Sequence, residues 1–237
     1  MWTDSSEFKK GIIGGVPIAL GYFAVSFTFG IVAVSSGLNW QEAVLISALN
    51  LTSAGQFAGL NIMIAGGSYF EMLLSQLVIN LRYALMSAAL SQKTDKSING
   101  ILRWFFAFFH TDEIFAVAAG EKKLSSKFFS GLLILPFFGW TLGTLAGALG
   151  GSILPDIICD ALGLALYGMF IAIFMPVARK NHKVMMVVFL SIVLSCCFTY
   201  IPGLKRISSG FAIIISGIAA SVAGALLFPV EGEVVES

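Results

Sequence analysis

Charge is scarce in this chain. Only 11% of its 237 residues are Asp, Glu, Lys or Arg, against about a quarter in ordinary globular domains. A soluble protein so poor in charge could not cover its surface. With 57% hydrophobic residues and a mean hydropathy of +0.91, the composition makes lipid the main solvent and the chain an integral membrane protein. The net charge is +1, so the basic surface that nucleic acid requires is missing. Cysteine is scarce too. Cys159, Cys196 and Cys197 are odd in number, two are adjacent, and all lie in apolar surroundings, which excludes a disulfide framework. No metal-ligand spacing appears, and no cofactor is expected. The alternation of barrel strands is absent, which leaves helices, the structures that satisfy their own backbone groups in lipid.

What remains is a series of apolar runs. Lys9 and Lys10 precede a run from Gly11 to Val34. Ala33-Val34-Ser35 weakly resembles a signal cleavage site, but a signal core is about 7–15 residues long, so this run is expected to be a retained first span. Breaks at polar, Pro and charged residues leave blocks at 11–36, 43–65, 70–90, 98–119, 128–151, 157–178, 184–202 and 207–229. Each is about long enough to cross ~30 Å of hydrocarbon. The expected fold is all-α: a polytopic bundle of about seven to eight transmembrane or re-entrant helices, one domain over 1–237 with short polar tails at 1–8 and 230–237. In block 98–119 the apolar core "ILRWFFAFF" is short and "HTDE" follows at once. Crossing, re-entry and an interfacial position all stay open for it.

Basic residues set orientation. Lys9, Lys10, Lys122, Lys123, Lys127, Arg179, Lys180 and Lys183 fit eight spans with both termini cytoplasmic. Lys93 and Lys96, and Lys205 and Arg206, disagree; re-entry of one early block would return Lys93 and Lys96 to the inside. The two halves, 11–119 and 128–229, have blocks of similar length and hint at a repeat, as transporters often contain.

Gly139, Gly143, Gly147 and Gly151 recur every four residues, a small-residue face that lets another helix approach closely. The same face would also serve as a sliding surface. Pro17, Pro136 and Pro176 fall within or at the ends of spans, where Pro tends to kink a helix.

Polar residues interrupt the apolar blocks at three places. In "QLVINLRYALMSAAL", Gln76, Asn80, Tyr83 and Ser87 share one helix side, and Glu71, Ser75, Ile79 and Arg82 share roughly the other. Such a helix is enclosed by others or unwound near Asn80. A charge at the bilayer centre costs about 2.5–3.5 kcal/mol on insertion scales, so Arg82 calls for a pathway, a partner or a snorkelling route. Glu71 reads as an interfacial carboxylate. In "NLTSAGQF", Asn50, Thr52, Ser53 and Gln56 with Gly55 suit either helix–helix hydrogen bonds or an irregular, substrate-lining turn. In "FFHTDEIFA", His110 titrates near neutrality when unperturbed. Asp112 and Glu113 are either intramembrane proton carriers or a helix cap. Asp156 and Asp160 read as helix-start carboxylates.

The segments "GVPIALGYFAVSFTFG", "SAGQFAGLNIM", "INLRYALMSAAL" and "TDEIFA", in that order, resemble the AzlC family, the large subunits of bacterial branched-chain amino-acid exporters. The resemblance covers roughly residues 8–180. It implies a secondary transporter of the bacterial inner membrane, proton-driven, working with a small hydrophobic membrane subunit of the AzlD type. The matched positions are Pro17, Gly21, Gly55, Gln56, Asn80, Arg82, Asp112 and Glu113. Of these Gln56, Asn80 and Arg82, with Asn50, are the expected substrate contacts, and Asp112, Glu113 and His110 the expected proton-coupling groups. Pro17, Gly21, Gly55, Gly139, Gly143 and Gly147 are expected to shape and pack helices. One departure stands out: Gly163 and Leu164 occupy positions where the family pattern carries an Asp-Phe pair. Two rival readings are a carrier or channel for another small solute or cation, and a membrane-embedded transferase. The transferase needs clustered catalytic groups, and His110 and Asp112, two apart on a helix, would point to nearly opposite sides.

Overall fold

In the computed structural model, residues 3–151, 157, 171, 175 and 178–228 are described. Most of block 157–178, with Cys159, Asp156, Asp160, Gly163, Leu164 and Pro176, lies outside them. Among the described residues the secondary structure is helical, apart from one isolated parallel bridge between Thr94 and Leu124. The helices are α1 (Thr3–Ser35), α2 (Trp40–Leu49), α3 (Ser53–Ile64), α4 (Tyr69–Ser91), α5 (Gly100–Phe108), α6 (Asp112–Ala119), α7 (Ser126–Gly150), α8 (His182–Tyr200) and α9 (Ser209–Leu227). Among the described residues, five helical stretches are long and apolar enough to cross a bilayer: Ser6–Ser35, Tyr69–Ser91, Ser126–Gly150, His182–Tyr200 and Gly210–Leu227. The chain is a polytopic helical membrane protein.

Two of the expected blocks are broken. Block 43–65 is the pair α2 and α3, interrupted at Asn50–Thr52; block 98–119 is the pair α5 and α6, interrupted at Phe109–Thr111. At ~1.5 Å per residue these half-helices are about 12–18 Å long, roughly half of the hydrocarbon thickness. Block 70–90 does not unwind near Asn80: α4 is one continuous 23-residue helix.

The described residues fall into two compact units, one drawn from 1–60 and 80–166 and the other from 61–79 and 167–237. In the first unit α1 and α7 pack side by side and parallel. The small-residue face does this. A side chain at Gly139 would meet the backbone of Ala19, one at Gly143 that of Phe23, and one at Gly147 that of Phe27. The contact is reciprocal, since a side chain at Gly11 would meet Phe128 and one at Gly30 would meet Thr144. Gly21 is different. Nothing lies within 4 Å of where its Cβ would stand, so close packing does not require glycine there. Helices α1 and α7 continue through Pro17 and Pro136 without interruption.

Both α1 and α7 start at one end of this unit, and that end is basic. There the Lys10 ammonium pairs with Glu121 at 2.6 Å, and Lys93 donates to the Ala119 carbonyl at 2.6 Å. The Leu124 amide donates to Lys93 at 2.9 Å and the Asp95 amide to Leu124 at 2.9 Å. The Ser97 hydroxyl and amide both donate to Asp95, which holds that carboxyl below its usual range. Lys93 and Lys10 therefore share one end. Folding block 43–65 back on itself removes the charge conflict at Lys93 and Lys96; the one at Lys205 and Arg206, in the second unit, is untouched by it.

The turn back is visible in its contacts. Ala43 near the start of α2 and Leu60 near the end of α3 join one core cluster with Phe29, Ala33 and Ala148, at the far ends of α1 and α7. Both arms of this hairpin therefore reach the same far end. The second hairpin is entered from the basic end. The Ser126 amide donates to Ser97 just before α5, while Glu121 just after α6 meets Lys10. A long helix followed by a half-helix hairpin thus occurs twice, with the hairpins entering from opposite ends.

In the second unit, Glu71, in the first turn of α4, is buried. Its carboxylate accepts from the Ser208 hydroxyl and from the Gly210 amide at 3.2 Å. It caps the N-terminus of α9, where negative charge is favoured.

Candidate functional site

The two hairpin breaks meet. A cavity of about 220 Å³ is lined by Leu49, Asn50, Leu51 and Thr52 from the first and by Ala107, Phe108 and His110 from the second, with Asn80 and Tyr83 of α4 as its third wall. All of these lie in the first unit. Drug-sized ligands take roughly 300–1,000 Å³, so this cavity suits a smaller solute. Broken helices at membrane depth are tolerated where they are buried in protein or line a polar cavity, and both breaks here do so.

Each break is held by a threonine. The Thr52 hydroxyl donates to the Asn80 side-chain amide oxygen at 2.6 Å and accepts from the Gly55 main-chain amide at 3.3 Å. It therefore caps α3 and fixes Asn80 together, with the Tyr83 hydroxyl 3.5 Å away. The Asn50 side chain accepts from the Thr52 amide at 3.3 Å. In the second break Thr111 caps α6, accepting from the Ile114 amide at 3.4 Å. Local chemistry explains both: Thr is a good N-cap because its oxygen replaces a missing intrahelical acceptor.

Asp112 and Glu113 are in the first turn of α6, where the helix dipole favours carboxylates. Neither is merely a solvated cap. Arg82 pairs with Asp112 at 2.8 Å, with side chains 42% and 25% exposed. The mid-helix guanidinium is thus neutralised by the hairpin tip. Its Cζ also sits 5.2 Å from the Tyr83 ring centroid. Glu113 lies 2.8 Å from the Tyr22 hydroxyl, and Thr111 Oγ1 lies 2.5 Å from it. With one proton, Tyr22 donates to the carboxylate and accepts from the threonine.

Gln56 stands behind the cavity, not on its wall. It is 2% exposed. Its amide donates to Ser47 at 2.6 Å and accepts from the Trp140 indole at 3.0 Å. Ser47 in turn lies 2.6 Å from Thr144 Oγ1. The Trp140 ring stacks edge-on against Tyr22, centroids 5.2 Å apart. One buried chain of contacts, Ser47–Gln56–Trp140–Tyr22–Thr111, therefore joins the two hairpins. Gln56→Leu leaves Ser47 and the indole N–H without this partner, at about 1–3 kcal/mol. The thermal unfolding midpoint in detergent should fall; an unchanged midpoint would show that the network carries no stability.

Of the residues expected to bind substrate, Asn50 and Asn80 line the cavity, Arg82 faces Asp112, and Gln56 belongs to the buried network. Gly55 is buried in the first turn of α3. Sequence reasoning missed Tyr22, Ser47, Trp140 and Thr144. The one available signal was a tyrosine and a tryptophan, both rare here, each placed mid-span beside a glycine. Among the described residues no three His, Cys, Asp or Glu side chains are grouped to hold a metal ion.

Known proteins bear on the same region. The AzlC protein family matches residues 17–154, a range that contains both hairpins, the whole cavity lining and α7. An uncharacterized membrane protein of Archaeoglobus fulgidus is 32% identical over 186 residues, covering 76% of this chain and 80% of that one. Inner membrane protein YgaZ of Escherichia coli is 26% identical over 187 residues, 76% of each chain. An uncharacterized membrane protein of Helicobacter pylori is 26% identical over 187 residues, 74% of this chain and 78% of its own. No solved structure matches. With its matched segment spanning both hairpins and the cavity they enclose, the chain belongs to the AzlC family of membrane proteins.

Proposed function

We propose that the protein is a secondary transporter that exports small neutral, branched-chain amino acids across the cytoplasmic membrane, coupled to protons and working with a small AzlD-type subunit. The observation that carries this reading is the 220 Å³ cavity between two opposed hairpin tips. A zwitterion needs a positive and a negative partner and an apolar wall. The N-terminus of α3, with Thr52 and Asn80, supplies donors and the positive end of a helix dipole to the carboxylate. The C-terminal carbonyls of α2 and α5 supply acceptors to the ammonium. Leu49, Leu51, Ala107 and Phe108 receive the aliphatic side chain. Half-helix ends serve this way in transporters built from discontinuous helices.

Arg82 and Asp112 hold the second tip by a charge pair that protonation of Asp112 would release, and Glu113 offers a second proton site through Tyr22. The basic end is cytoplasmic by the distribution of Lys and Arg, with both termini on that side. A transferase gains no support, because both His110 ring nitrogens are without a hydrogen-bond partner and so form no pair with Asp112.

Labelled leucine offered to inverted membrane vesicles, with and without the co-expressed small subunit, tests the reading. Accumulation that requires a proton gradient is expected. Movement of a cation or another solute, with no leucine flux under either condition, would overturn it.

A further inference from the structure

Below the central cavity lies a second, smaller and mostly apolar one of about 60 Å³, towards the basic end, with Ser87, Ser91, Thr94 and Arg103 beside Leu124 and Phe129 in its wall. The two cavities share only Ala107 and His110. The polar side of α4 runs along both: Asn80 and Tyr83 face the first, Ser87 and Ser91 the second. These residues follow at helical spacing on one face. The substrate cavity uses only the upper half of that stripe, and lipid-facing packing has no need of the lower half.

His110 stands at the junction. Both ring nitrogens are buried without a hydrogen-bond partner; the Phe106 carbonyl approaches the ring but misses hydrogen-bond geometry. The Phe129 ring lies 6.0 Å away, centroid to centroid. Buried polar atoms are nearly always paired, with water where protein offers nothing. The imidazole lines both cavities, yet neither nitrogen is open to either of them in this conformation.

We propose that His110 is the partition between the central cavity and the smaller chamber towards the basic end, so that displacing its imidazole makes the polar face of α4 one continuous passage. The proposal rests on the transport reading for its purpose but not for its geometry. In the conformation seen, the passage is closed on that side: the chamber has room for a few waters and not for the solute. His110 is a gating residue. Displacement of the ring would give its nitrogens, buried without a partner in the closed form, the water or solute that passes.

The test reads access, not flux. Cys159, Cys196 and Cys197 are replaced by Ser, and a single cysteine is placed in each cavity, Leu51→Cys in the central one and Ser87→Cys in the lower one. A membrane-impermeant thiol reagent is added from the basic side. Ser87→Cys should react readily. Leu51→Cys should react slowly, and His110→Ala should speed it roughly tenfold or more, the factor by which a gate open ~0.1–10% of the time holds labelling back. His110→Ser serves the same purpose if the alanine variant is not recovered. Labelling of Leu51→Cys that ignores both substitutions would overturn the proposal, and so would a Ser87→Cys that never reacts from the basic side. The labelling pattern without any leucine flux would sink the amino-acid reading alone.

Discussion

Arg82→Ala should reduce transport to background while leaving the protein in the membrane at normal abundance. In the native protein the guanidinium and Asp112 are 2.8 Å apart, and neither faces lipid as a net charge. Removing Arg82 leaves the Asp112 carboxylate unpaired at a hairpin tip. A lone charge at the bilayer centre costs about 2.5–3.5 kcal/mol on insertion scales, so the carboxylate takes up a proton or the tip retreats. Either event ruins the cavity, because His110 and Phe108 are within four residues of Asp112. The pair is 42% and 25% exposed, so its loss stays below the cost of breaking a fully buried pair, about 3–5 kcal/mol. Function is lost before the fold is. Asp112→Asn should be nearly as damaging, since it strands the guanidinium instead. The double variant Arg82→Gln with Asp112→Asn removes both charges and should recover thermal stability without recovering transport. Normal efflux from a well-expressed Arg82→Ala protein would remove the ion pair from the mechanism.

The second large effect concerns assembly. Gly143→Leu should prevent recovery of folded protein. A Cβ at position 143 would lie 2.9 Å from the Phe23 Cα and nearer still to its carbonyl oxygen. Overpacking normally costs about 1–3 kcal/mol where side chains can yield; here the obstacle is backbone, which cannot. Helices α1 and α7 would have to separate, and both the Trp140–Tyr22 contact and the first hairpin depend on their closeness. Gly21→Ala is the control. With nothing within 4 Å it should fold normally and gain about 0.5–1 kcal/mol of helix propensity. A monodisperse Gly143→Leu protein with an unchanged unfolding midpoint would contradict the packing.

Much of this was legible in the sequence, but unevenly. The glycine repeat is local information, since residues four apart share a helix face whatever the partner. Its partner, α1, more than a hundred residues away, was not legible. The polar island at Asn50–Gln56 suited an irregular turn or helix–helix hydrogen bonds, and the structure has both: a break at Asn50–Thr52 and Gln56 bonded to Ser47 and Trp140. Hydropathy nonetheless counted block 43–65 as one crossing, because an average over about 20 residues does not register a three-residue interruption. Thr111 followed by Asp112 and Glu113 is a readable helix start. Where those carboxylates point depended on Tyr22 and Arg82, which no spacing rule connects to them. Gln56 shows the limit of reading polarity as function. A buried amide in a membrane protein fits a substrate site and a structural hydrogen bond equally well, and only its neighbours, Ser47 and Trp140, decide. The Lys93 and Lys96 conflict was itself a signal: it disappears once the first hairpin returns to its own side, though that hairpin does not account for Lys205 and Arg206.

The account depends on two hairpins that enter from opposite faces and do not cross. Single cysteines at positions 9, 39, 96 and 122, in a background without the three native cysteines, test this directly with an impermeant thiol reagent applied to each face in turn. Lys9→Cys, Lys96→Cys and Lys122→Cys should label from the cytoplasmic face, and Asn39→Cys from the other. If Lys96→Cys labels only from the outer face, with Lys122→Cys still inside, both blocks cross, and the meeting of hairpin tips that forms the cavity does not exist.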